Sequence, residues 1–369
     1  MAVEVGELRR EEHLSPLADP RSSALRPLAE RVIDFLCPGA GASRALQSVK
    51  SNNCRSICRF RNSMPSSHNF SYSRSPCSPC NCFYVLNALP EDESFTSDQT
   101  LENILDEVLA QGHESYRQAS DLAQQLACPD RASFDASIQR ISIDVRDGGM
   151  PMVFIHGHGN KTDGLRLASG TYVPWSAYLD SLMCITTATG GELTVIAAFC
   201  HSMEIVPLLP NTGRLPFSFY YGYDGTITAG EVHDETAMLY RGFFRDGGRA
   251  GTDPTARLKH YSEFDHVEEV LRQFLALYGA HDEKRIAYPM LSKRKILKST
   301  EQQFLAQGEP LGGVRNNVID AIGGAELVNE VLGKFMYETD RRSRLIREVI
   351  QWHGQIKDAL NKPPSGAGR

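Results

Sequence analysis

Two short apolar runs in this sequence end in residues equipped for chemistry. Met152 to Ile155 leads into His156-Gly157-His158-Gly159-Asn160, and Leu193 to Phe199 leads into Cys200-His201-Ser202. Acyl transfer by a thiol needs an imidazole to take its proton and N–H donors to receive the oxyanion. His158 can serve as the base and Cys200 as the nucleophile. The glycine at 159 lets backbone approach a substrate, and the Gly159 and Cys200 amides are the natural oxyanion donors. Singly, each has a plainer reading. A histidine in a His-Gly turn can simply cap it, and a cysteine closing an apolar strand is usually a small core residue. Chemistry is favoured because both fall just past strand ends, which the surrounding pattern places on one edge of one sheet.

That pattern is α/β. Phe83 to Leu89 is a short apolar run suited to a buried strand, and Leu101, Ile104, Leu105 and Val108 follow at helical spacing, with Ser97 or Asp98 as N-cap. A second helical period runs through Phe134, Ile138, Ile141 and Val145 and stops at Gly148-Gly149. After the strand at 152–155, Leu165 to Val173 reads as a hairpin. Pro174 opens a helix carrying Trp175, Tyr178, Leu179 and Leu182. The strand at 193–199 delivers Cys200, and Phe217 to Tyr223 delivers Asp224-Gly225. Further helices use Val232, Leu239 and Phe243, then Val267, Val270, Leu271, Phe274 and Tyr278. Alternating strands and helices predict a mostly parallel sheet sandwiched by helices. In such a sheet, chemistry gathers beyond the carboxyl ends of the strands.

The flanks read differently. Residues 1–80 predict a helical arm at Ala24 to Leu36 and a flexible linker or pro-segment, ahead of an α/β unit over 81–281. From 282 to 362 the chain predicts helices at Val314 to Ile322, Ala325 to Tyr337 and Arg341 to Leu360, a helical and regulatory extension, with 363–369 a frayed tail. The basic runs Lys293 to Lys295 and Arg341 to Arg347 read as solvated helix faces, because no aromatic side chains are interleaved as stacking platforms for bases.

The formal charge of -6 gives no general field for nucleic acid or anionic lipid. No apolar run reaches the roughly 20 residues of a membrane span, and Met1 to Arg10 has no apolar signal core. A cytoplasmic protein with reduced thiols, needing no cofactor, is the expectation. Of the nine cysteines, Cys54, Cys58, Cys77, Cys80 and Cys82 are spaced in a manner that could hold zinc, but within a linker-like segment rich in Ser, Asn and Arg. Cys37, Cys128 and Cys184 read as core.

Three of these segments resemble elements of one family. Val153-Phe154-Ile155-His156-Gly157-His158-Gly159 resembles the strand and Gly-His-Gly element of caspase-like cysteine peptidases. Ala197 to Ser202, with its Cys-His-Ser, is similar to the cysteine element of their metacaspase branch, and Tyr221 to Ala229 resembles the strand and loop that follow. The resemblance spans roughly residues 82–280. It implies a His158/Cys200 dyad with Gly159 and Cys200 as oxyanion donors, and endopeptidase activity on a protein substrate, switched on by a partner protein, a small-molecule signal or self-processing. Bacterial relatives of this type act in anti-phage defence and cell death, which is the role the resemblance implies. Two positions depart from the metacaspase pocket pattern: Ala198 replaces the acid two before the cysteine, and His156 replaces a small polar residue. The preferred bond therefore does not carry over, and Asp224 is the remaining acid for a specificity pocket. Two other readings compete. One is an α/β-hydrolase-like esterase using Ser202, although Glu204 stands where the nucleophile elbow needs a small residue. The other is a non-catalytic scaffold of the same fold.

Overall fold

The computed structural model describes residues 75, 77–110, 122–210, 213–245, 256–268, 270–271, 298, 301–302, 305 and 325–361. Its centre is a six-stranded sheet in the order β2-β1-β3-β7-β8-β9. The strands are β1 (Cys82–Asn87), β2 (Ala123–Ala127), β3 (Pro151–His156), β7 (Thr194–Ala198), β8 (Phe219–Tyr223) and β9 (Leu258–Ser262). All neighbours are parallel except β8 and β9. A second, antiparallel sheet of three short strands, β4 (His158–Asn160), β5 (Gly164–Arg166) and β6 (Tyr172–Val173), lies between β3 and β7 in the chain.

Helices cover both faces, and alternation along the strands shows why. Phe83, Val85, Met152, Phe154, Ile196 and Phe219 point into one core, with α1 (Phe95–Ala110) and α4 (Ala229–Arg245). Tyr84, Leu86, Val153, Ile155, Val195, Ala197 and Tyr220 point into the other, with α2 (Arg131–Asp144) and α3 (Trp175–Ala188). With both faces buried, the middle positions of β1, β3 and β7 are apolar in unbroken runs, as a covered parallel sheet requires.

The α/β reading and the strands ending before His158, Cys200 and Asp224 agree with the structure. Some boundaries do not. α1 begins at Phe95, so Ser97 and Asp98 lie in its first turn rather than at its N-cap. The Ser97 hydroxyl donates to the Ser94 carbonyl. β2, β4 and β9 depart from the expected pattern: His158 opens β4 rather than sitting in a turn, and AQQLA and LKHYS are short, polar edge strands. Cys184 is exposed on α3 rather than in the core. Residues 1–74 hold the expected arm, Cys37, Cys54 and Cys58, and these lie outside the described residues, as do the helix at 314–322, Phe274 and Tyr278.

The C-terminal helices α5 (Ala325–Gly333) and α6 (Asp340–Asn361) pack on the sheet. Leu327, Val331, Phe335, Leu345 and Val349 join the core that contains Phe83, Phe154 and Phe219. At the start of α6, Arg341 is only 2% exposed and departs from the solvated-face reading of its run, which Arg344 keeps. Its guanidinium pairs with Glu192 and Glu263 and donates to the Gly191 carbonyl at 3.2 Å and the Ser218 hydroxyl at 3.0 Å. One side chain thus ties α6 to the turns that precede β7 and β8 and follow β9.

Removing one member of such a buried network strands the others. Arg341→Met is expected to lower the free energy of unfolding by about 3–5 kcal/mol, read from denaturant titration. Arg341→Lys should recover only part of it, since an ammonium cannot reproduce the forked contacts.

Candidate functional site

The site begins with strand register. β3 and β7 are parallel neighbours, and their last pair is His156 opposite Ala198. His158 and Cys200 each come two residues later, so the chain leaves both strands at the same height. β8 pairs Tyr221 with Ile196 of β7, and Asp224 follows directly on its last residue, Tyr223. The three candidates therefore share the carboxyl edge of the sheet.

Contact between the His158 and Cys200 segments is made through backbone. A Cβ placed on Gly159 would come 1.7 Å from the Cys200 carbonyl oxygen and 2.8 Å from the Phe199 ring. Only glycine permits that approach. Phe199 is held in turn by Trp175, stacked at 6.2 Å, and by Tyr178, edge-on at 6.1 Å. The predicted helix of Trp175 and Tyr178 thus buttresses the strand that presents the cysteine.

Past Cys200 the chain turns sharply. His201 has φ 58° and ψ 17°, the only non-glycine residue with positive φ among the described residues, and its amide donates to the Gly225 carbonyl at 3.0 Å. Such a conformation costs on the order of 1–3 kcal/mol and persists where surroundings impose it. Here the constraint is Ser202, which opens a 3-10 helix over Ser202–Leu208. Its buried hydroxyl donates to the Ala197 carbonyl at 3.1 Å and accepts from the Tyr223 amide at 2.8 Å. Ser202 is a clasp between β7 and β8, with its hydroxyl turned into the sheet.

The thiol and the imidazole each have a partner in this structure, and it is not the other. The Ile227 amide donates to Cys200 Sγ at 3.3 Å, and the thiol lies 3.5 Å from the Ile227 carbonyl. His158 Nε2 lies 2.9 Å from Glu93 Oε2, with both side chains nearly half exposed. Glu93 ends the short 3-10 turn Glu91–Glu93 after β1. Sequence reasoning missed it, because its role depends on how that turn folds back over the sheet edge.

The loop that grips the thiol is itself fastened. Glu231 accepts from the Thr228 amide at 2.9 Å and hydroxyl at 2.8 Å, and from Arg257 at 3.1 Å. Arg257 also donates to the Thr226 carbonyl. Those hydrogen bonds, the Thr228 amide's foremost, hold the Glu231 carboxyl down at about 2. Ile227 is thus bracketed by two anchored neighbours.

The residues proposed for substrate contact divide. Asp224 is exposed beside the loop, whereas Ala198 is buried against Tyr223 and Val232. His156 is buried at 2% exposure and its Nε2 lacks a hydrogen-bond partner, so it lies beneath the site rather than facing it. Burial, with His233 nearby, pushes its imidazole down to about 4. Cys77, Cys80 and Cys82 are free thiols that burial pushes up to about 11, 12 and 11. Among the described residues, no group of three or more His, Cys, Asp and Glu side chains is placed to hold a metal ion. No described helix is long and apolar enough to cross a membrane.

Comparison of the chain with protein-family models and with curated proteins returned no match.

His156 gives the site a pH signature. A histidine whose folded pKa lies near 4, below the ordinary 6.5, is bound as the neutral form. Its unfolded counterpart takes up the proton first as pH falls. Its contribution is complete above pH 6.5 and is lost progressively toward pH 4, at about 1.4 kcal/mol per unit. Unfolding curves across that range should show the slope in the wild type and a flatter one in His156→Gln.

Proposed function

We propose that this protein is a caspase-like cysteine endopeptidase with His158 as general base and Cys200 as nucleophile. The observation that carries the reading is the His156–Ala198 register, which brings both residues off adjacent parallel strands at one level. The chain path adds support. Between base and nucleophile run a small antiparallel sheet and one helix, as the sequence resemblance implies.

In this reading the Cys200 thiol gives its proton to His158 as Sγ attacks the carbonyl carbon of a peptide bond. The Gly159 and Cys200 amides receive the oxyanion. The imidazolium then protonates the departing amine, leaving a thioester on Cys200. Water, deprotonated by His158, hydrolyses the thioester and returns the thiol. In the same reading, Asp224, exposed at the same edge, is the acid that meets a basic residue of the substrate.

The thiol's attachment to Ile227 also bears on regulation. Release of the anchored loop over 224–228 would free the thiol for His158. That fits an enzyme whose basal cleavage is raised by a partner protein, a signal molecule or cleavage of its own chain, as in the defence and cell-death role implied by the resemblance. Ser202 is poorly suited to the esterase alternative, because its hydroxyl is buried and committed to Ala197 and Tyr223.

Peptide and ester hydrolysis by Cys200→Ala and Ser202→Ala separates these readings. Cys200→Ala should lower peptide hydrolysis by at least about 1,000-fold. Ser202→Ala should retain cleavage and lose about 1–3 kcal/mol of stability, since the Tyr223 amide is left unpaired. Peptide hydrolysis that survives Cys200→Ala would contradict the assignment.

A further inference from the structure

We infer that Glu93 is a positioning residue for the His158 imidazole, an inference that rests on the peptidase reading above. The turn bearing Glu93 is fixed to the strand bearing His158. β1 pairs with β3 through Asn87 opposite His156, and the Ala88 amide donates to the His156 carbonyl at 2.8 Å. The Asn87 side chain then accepts from the Leu89 amide at 3.0 Å, and the Glu93 amide donates to the Pro90 carbonyl at 3.0 Å, closing the 3-10 turn. Each step from β1 to Glu93 is tied down, and the carboxylate arrives 2.9 Å from His158 Nε2.

The chemical consequence concerns the tautomer. A carboxylate is acceptor only, so Nε2 carries the proton in this pair, and the lone pair falls on Nδ1. Nδ1 is then the atom that takes the Cys200 proton. Glu93 accepts no proton in the step; it holds the ring's orientation. Glu91 and Asp92 share the acidic turn, but His158 pairs with Glu93 alone among them. Because the pair is nearly half exposed, its removal has little effect on folding. That separates positioning from structure.

The test uses the full chain and a fluorogenic peptide that it cleaves in a Cys200-dependent manner. Glu93→Gln should lower kcat about 10–100-fold with KM within about two-fold and an unchanged melting temperature. Glu93→Asp should recover part of the loss, and Glu91→Gln should match the wild type. Histidine labelled with 15N should show His158 protonated at Nε2 in the wild type, with that preference weakened in Glu93→Gln. Unchanged kcat and unchanged imidazole signals in Glu93→Gln, with Cys200→Ala still inactive, would overturn the role of Glu93 and leave the peptidase reading standing. Absence of any Cys200-dependent cleavage by the wild type would overturn both, whatever the imidazole signals show.

Discussion

Parallel pairing of β3 with β7 is the constraint from which the rest of the site follows. Both strands are buried on both faces, with Met152, Phe154 and Ile196 on one side and Val153, Ile155, Val195 and Ala197 on the other. A slip of one residue would exchange those sets and drive each strand's side chains into the wrong core. It would also separate the ends at His156 and Ala198. The height at which His158 and Cys200 leave the sheet is thus set by core packing, well away from the residues that would do chemistry.

What happens beyond the strand ends is decided by short polar contacts. Ser202 joins β7 to β8 and imposes the left-handed turn at His201, which directs the chain away from Cys200. Glu231 and Arg257 hold the backbone on either side of Ile227, and Ile227 holds the thiol. Glu93 holds the imidazole. A rigid sheet fixes position, while a fastened loop and an acidic turn govern which partner each reactive group meets. Loops of that kind are also the part of a fold most readily reordered by a partner or by cleavage.

Much of this was legible in the sequence, for physical reasons. Strands buried on both faces read as unbroken apolar runs, so β1, β3, β7 and β8 stood out along with the residues just after them. The helix of Trp175 and Tyr178 announced itself by spacing and by Pro174. The edge strands β2 and β9 did not, since Gln124, Gln125, Lys259 and His260 break the apolar run and their pattern resembles a loop. Arg341 looked like one more charge in a basic run, because its partners Glu192 and Glu263 lie far away in the chain. Glu93 was hidden for the same reason, and Ser202 was read as a possible nucleophile because sequence does not tell which way a hydroxyl faces. Local periodicity reports burial; it does not report which distant side chains burial brings together.

The central claim is that Cys200 is a nucleophile activated by His158, and covalent labelling addresses it most directly. The full chain would be treated with a pool of peptides carrying an electrophilic warhead, followed by peptide mapping, with exposed Cys184 as an internal measure of ordinary thiol reactivity. The account predicts an adduct on Cys200 that needs the peptide portion of the probe and is lost in His158→Ala, while Cys184 reacts equally in both. Labelling of Cys200 no faster than Cys184, or unchanged in His158→Ala, would contradict it.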